Sequence, residues 1–142
     1  MYNEFSSQYY LFLDDERDVK HVTWLTLPKD FRSWVVVRNY DEFVKTILMR
    51  GLPIMMSLDH DLKDEHYPVV NQDDIKEIPY DTYKFPTGLD CAKWLCDYCL
   101  KNRETFPKYT VHSMNRKGKE NIIGYISGFL KQHNMKMRKE LY

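Results

Sequence analysis

The stretch Ile54-Met55-Met56-Ser57-Leu58-Asp59-His60-Asp61-Leu62 constrains this chain more than any other. Its first half is an apolar run of the kind that fits a strand buried on both faces. Its second half sets three ionisable groups, Asp59, His60 and Asp61, in a row. An apolar strand ending in charge is what a parallel sheet shows at its carboxyl edge, where open α/β folds hold their ligands. One such cluster could equally be a solvated loop. Two further stretches repeat the pattern: Tyr9–Leu13 runs into Asp14-Asp15-Glu16-Arg17, and Tyr109–Val111 runs into His112-Ser113-Met114-Asn115. Three strands that all end in polar chemistry point to one shared site.

The remaining elements fit around those strands. Trp34–Val37 is β-branched and predicts a further strand. Asn39 supplies an N-cap with Glu42 three residues on, and Tyr40, Phe43, Val44, Ile47 and Leu48 follow at helical spacing until Gly51 and Pro53 stop the helix. Thr87-Gly88-Leu89-Asp90 opens a second helix, buried through Cys91, Trp94, Leu95, Tyr98 and Cys99. A third follows Asn115, with Ile122, Ile126, Phe129 and Leu130 as its core stripe. Residues 18–33 predict an irregular segment with at most a short helix. Strands alternating with helices imply parallel pairing and right-handed crossovers. The expectation is a single α/β domain over residues 1–142, a three-layer Rossmann-like sandwich with a four-stranded parallel sheet in the order 2-1-3-4.

Composition narrows the function classes. The formal net charge is zero, so no global field draws the chain to nucleic acid or an anionic membrane. No extended nucleic-acid surface and no membrane span are expected, since no apolar run approaches 18 residues. Cys91, Cys96 and Cys99 share one predicted helix. A redox C-x-x-C pair belongs at a helix N-terminus and a zinc site needs more ligands, so these read as half-buried core thiols of a reducing, cytoplasmic protein. Residues 63–86 form a long acidic loop with tyrosines at 67, 80 and 83. Loops of that length in compact domains are usually functional or disordered, and here a lid over the site is expected.

In the expected topology Asp14, Asp15 and Asp59 converge. Several carboxylates a few ångströms apart cannot all stay ionised without compensation, and hard oxygen ligands suit Mg²⁺ first, with Mn²⁺ or Ca²⁺ as options. Neutralisation by Arg17 and Arg38 is the bland alternative. His60 and His112 stand one residue beyond two adjacent strand ends, and a pair of histidines in one pocket can serve as acid and base. Ser113 can hydrogen-bond a phosphoryl oxygen or cap a turn. Asn115 reads as site residue and as N-cap about equally. Arg116, Lys117 and Lys119 sit near a helix start, where backbone N–H groups favour anions.

Leu11-Phe12-Leu13-Asp14-Asp15-Glu16-Arg17, Ser57–Leu62, Thr87–Asp90 and Val111–Asn115 with Gly118 resemble the receiver-like domains assigned to cyclic-phosphate processing, relatives of response-regulator receivers. The resemblance covers nearly the whole chain in order. It implies that Asp14, Asp15 and Asp59 match the acidic, cation-binding pocket of receivers. Asp59 would stand at the phosphoacceptor position and Ser113 at the hydroxyl that ends the fourth strand. His60, Asp61 and His112 would match the additions that mark the family as enzymatic. The chain departs from the family where Asp18-Val19 follows the DDER element in place of proline, and where Met114 and Arg116 replace residues more often Gln and Pro. The loop at 63–86 is enlarged, and a fifth strand with its phosphate-binding lysine is not expected.

The leading expectation is a divalent-metal-dependent phosphoesterase acting on a cyclic phosphate, either a 2′,3′-cyclic RNA end or a cyclic nucleotide. Asp14, Asp15 and Asp59 would hold the metal, and His60, His112 and Asp61 would be catalytic. Arg17, Ser113, Asn115, Arg116 and Lys117 would hold the phosphate-containing small molecule or RNA end. The alternative is a non-catalytic receiver-like module that senses a phosphorylated or nucleotide ligand. A haloacid-dehalogenase-type phosphatase is a third reading, weakened because Glu16 stands where that family places a second Asp.

Overall fold

The computed structural model describes residues 8–30, 33–67 and 77–138. Four strands, β1 (Tyr10–Leu13), β2 (Trp34–Val37), β3 (Met55–Leu58) and β4 (Lys108–Val111), form one parallel sheet in the order β2-β1-β3-β4. The sequence predicts this order, and the strand bounds agree to within one residue. Tyr9 lies just outside β1, but its carbonyl still accepts the Ile54 N–H at 2.9 Å.

Alternation along the strands sorts the core into two clusters. Leu11, Leu13, Met56, Leu58 and Val111 face a layer built by α1 (Tyr40–Arg50), α2 (Gly88–Asn102) and α3 (Arg116–Gln132), through Phe43, Ile47, Leu95, Ile122 and Ile126. Tyr10, Phe12 and Met55 face the other way and are covered by Val19, Val22 and Leu27 of the irregular segment. That segment holds one 3₁₀ turn, Val19–His21. The direction of the crossovers explains the split. Both helical connections step rightward along the sheet, from β2 to β3 and from β3 to β4, whereas β1 to β2 steps leftward. Right-handed crossovers therefore put the helices on one face and the 18–30 segment on the opposite one.

The caps lie where the sequence places them. The Asn39 side chain accepts the Glu42 N–H at 2.9 Å, although the Glu42 carboxylate takes the N–H of Arg38 rather than that of Asn39. Thr87 and Asp90 close a capping box on α2. The three cysteines are free and wholly buried, deeper than the half-buried position expected. Burial pushes the Cys96 and Cys99 thiols up to about 12, which leaves them inert. After α3 the chain returns to the sheet and forms a parallel bridge between Met137 and Phe106, just ahead of β4. Beyond β4 the sheet extends, among the described residues, only by that bridge. No helix is long and apolar enough to cross a membrane, among the described residues.

Candidate functional site

Strand parity decides which residues meet at the carboxyl edge. Phe12, Ser57 and Thr110 stand in register across β1, β3 and β4, and side chains two residues on share their face. Those residues are Asp14, Asp59 and His112. Their ligand atoms lie within 4.8 Å of one another, and all three residues are buried.

His112 is fixed on three sides. Its Nε2 stands 2.9 Å from Asp14 Oδ2, its Nδ1 2.7 Å from Ser57 Oγ, and its ring stacks on Phe12 with centroids 4.5 Å apart. Burial holds the imidazole below its ordinary range despite the pull of Asp14. Burial also raises Asp14, but hydrogen bonds from His112 and from the N–H groups of Arg17 and Glu16 outweigh it and keep that carboxyl below the usual value. An anionic Asp14 beside a neutral imidazole requires Nε2–H to donate to Asp14, so the Ser57 hydroxyl donates to Nδ1.

Asp59 behaves differently. Burial and then the charge of Asp14 push its carboxyl up to about 7, against hydrogen bonds from the His60 N–H and the Ser113 hydroxyl. Two buried carboxylates and an imidazole, with one carboxyl raised by burial and by the other's charge, fit a divalent cation: they are ligand types that metals take, and a cation would relieve the repulsion. The arrangement is compatible with a metal site.

Asp15, expected among the metal ligands, is half-buried and turned to Tyr67, whose hydroxyl donates to both carboxylate oxygens at 2.9 and 3.1 Å. Burial leads in raising its pKa; the charges of Asp14 and Glu16 add to this, while the Tyr67 bond opposes it. Glu16, which stands where a dehalogenase-type site places its second Asp, is exposed. Arg17 reaches to 3.7 Å from Asp14 and lies over the Trp24 ring. Beside Asp15 a cavity of about 480 Å³ opens, lined in part by Arg38, Lys63 and Phe85.

His60 and His112 were expected in one pocket; they occupy separate networks. Being one residue past Asp59, His60 emerges on the helix face. Its Nδ1 stands 2.7 Å from Asp61 and its Nε2 2.8 Å from the Tyr80 hydroxyl. Asn115 donates to Asp61 at 3.1 Å and accepts the Gly118 N–H at 2.9 Å, so it is both network member and N-cap. Asn121 donates to the Tyr80 hydroxyl at 3.0 Å. Two glycines permit this packing. A Cβ on Gly118 would overlap the His60 ring, and one on Gly88 would overlap the Asp59 carbonyl. Ser113 joins the cluster through Asp59 and also accepts the Asn115 N–H. Arg116 is exposed and Lys117 half-buried in the first turn of α3.

The flanks of the long loop are fastened. His66 is buried, accepts the Leu62 N–H at 2.9 Å and reaches the Phe85 carbonyl, while Tyr80 is tied to His60. Residues 68–76, the centre of the expected lid, lie outside the described residues. Ser57, Trp24 and the bonding of Tyr67 and Tyr80 were not read from sequence. Ser57 left a signal, a hydroxyl inside an apolar strand at the parity of Asp59. The others come from loops whose paths no periodicity gives.

A parallel sheet in this order, with acidic residues at the ends of β1 and β3 and a hydroxyl after β4, defines a receiver-like α/β domain. The family model for the cyclic-phosphate processing receiver domain matches residues 9–128, and the chain belongs to that family. No match was found to a curated protein or to a solved structure.

Proposed function

We propose that the chain is a divalent-metal-dependent phosphoesterase that opens a cyclic phosphate, a 2′,3′-cyclic RNA end or a cyclic nucleotide. The observation that carries this reading is the convergence of Asp14, Asp59 and His112 to within 4.8 Å in a family associated with cyclic-phosphate processing. Asp14, Asp59 and His112 would hold the metal, and the nitrogen donor favours Mn²⁺ over Mg²⁺ and Ca²⁺, which prefer oxygen. A cation bound there would polarise the phosphoryl group and neutralise developing charge.

The chain's own residues supply the rest. With Nε2 on a metal the imidazole proton would sit on Nδ1 and donate to the Ser57 hydroxyl, the outer-shell service that ligating histidines usually receive. Arg17 grips a phosphoryl oxygen from the Asp14 side. Ser113 does so from the Asp59 side, with Arg116 and Lys117 adding positive charge at the start of α3. Proton transfer falls to His60, oriented by Asp61 and Asp61 in turn by Asn115, since a metal-bound His112 has no lone pair left to move a proton.

One observation favours a second reading, a binding module without turnover: both ring nitrogens of His60 and of His112 are already hydrogen-bonded. The test is to screen the purified chain with Mn²⁺, Mg²⁺ and Ca²⁺ against cyclic nucleotides and RNA ending in a 2′,3′-cyclic phosphate. Metal-dependent ring opening supports the enzyme. Tight binding with no product supports the module.

A further inference from the structure

Trp24 is 39% exposed, although its polar edge is anchored. Its indole Nε1–H donates to the His112 carbonyl at 3.1 Å, across 88 residues of sequence. The Arg17 guanidinium lies over its ring, 5.3 Å from the centroid, while the same guanidinium stands 3.7 Å from Asp14. A large apolar ring is thus pinned to the backbone of one cluster residue and stacked on the cation that faces another, and it stays open to solvent. Core packing does not account for this: Val19, Val22 and Leu27 of the same segment are buried, and Trp24 is not.

The geometry points to Trp24 as the platform for a flat aromatic group next to the phosphate, so that the ligand is a nucleoside cyclic phosphate rather than a base-free cyclic phosphodiester. The inference rests on the cyclic-phosphate reading of the cluster and adds to it the residue that would hold the base. A phosphate held by Arg17 places the attached nucleoside beside the indole, where stacking on an aromatic face is favourable and tolerant of base identity. The competing position is Phe85, at the cavity beside Asp15. There Lys63 covers the ring at 4.8 Å much as Arg17 covers Trp24, but the carboxylates of Asp15, Glu16, Asp64 and Glu65 outnumber Arg38 and Lys63 in the walls, which disfavours an anionic nucleotide. The tyrosines expected to stack on a base are engaged elsewhere, Tyr67 with Asp15 and Tyr80 with His60.

The test is isothermal titration of the full chain, in the presence of Mn²⁺, with adenosine 2′,3′-cyclic phosphate and with glycerol 1,2-cyclic phosphate, which has no base. The wild type should bind the nucleoside form about tenfold or more tightly. Trp24→Ala should bring the ratio of the two affinities near unity, and Trp24→Phe, which keeps a ring but loses the N–H, should hold it within about threefold of wild type. Equal affinities in the wild type, or a ratio that survives Trp24→Ala, overturn the platform and leave the cyclic-phosphate site standing. Loss of both ligands in equal proportion in Trp24→Ala and Trp24→Phe assigns the indole to structure and overturns it too. Binding of neither ligand by the wild type overturns the cyclic-phosphate reading together with the inference.

Discussion

The His112 imidazole is hydrogen-bonded to Asp14 at 2.9 Å across 98 residues of sequence, and Ser57 takes its other nitrogen at 2.7 Å. Two strand ends and a mid-strand hydroxyl therefore fix one ring before any ligand arrives.

Ser57→Ala removes the hydroxyl from a wholly buried ring nitrogen. An orphaned buried polar group costs roughly 1–3 kcal/mol, and outer-shell partners of metal ligands are typically worth about 10–100-fold in affinity. Chemical denaturation should show the stability loss, and titration with Mn²⁺ should show the weaker binding. A fall in stability with unaltered metal affinity would mean that His112 is not a ligand.

The pH dependence of stability follows from Asp59. Its carboxyl is raised from 3.8 to about 7, so the native state binds this proton more tightly than the unfolded chain does. Stability linked to this group is present below about pH 4 and is lost as pH rises toward 7, on the order of 4 kcal/mol. Asp59→Asn should remove that slope, and without metal it should melt above the wild type at pH 8. Parallel melting curves from pH 4 to 8 would contradict the shift.

Gly118→Ala drives a methyl group into the His60 ring, and overpacking of this kind costs about 1–3 kcal/mol. Gly124 lies in the same helix with nothing within 4 Å, so Gly124→Ala should stabilise by up to about 1 kcal/mol through helix propensity. Thermal melts of the two variants should move in opposite directions.

Tyr80→Phe deletes the hydroxyl shared by His60 and Asn121. We expect a loss of about 1–2 kcal/mol and faster amide exchange near residues 80–83, with metal-induced stabilisation kept. Loss of the metal response would tie this network to the cluster.

The sequence was legible where periodicity carries information. Buried strands ending in polar residues predict the sheet order and the convergence of Asp14 and Asp59; that His112 joins them follows only from the register, because alternation along parallel strands fixes which end residues share a face. Placing both histidines one residue beyond a strand end puts them in one pocket, but the register sets His112 level with Asp59 and leaves His60 one residue further on, facing the other way. Asp15 was grouped with Asp14 for the same reason, yet consecutive residues diverge at a strand end. Trp24 and Tyr67 reach the site from segments without regular structure. Their contacts depend on loop paths, which residue patterns do not determine.

The central claim is that Asp14, Asp59 and His112 form a metal centre for opening a cyclic phosphate. The most direct measurement is ³¹P NMR of adenosine 2′,3′-cyclic phosphate incubated at pH 8 with the wild type, Asp59→Asn and His112→Ala, each with Mn²⁺ and with chelator. The account predicts conversion to a phosphomonoester by the wild type with Mn²⁺ alone, and at least a hundredfold slower conversion by either variant. Conversion that persists in chelator, or that Asp59→Asn leaves intact, would contradict it.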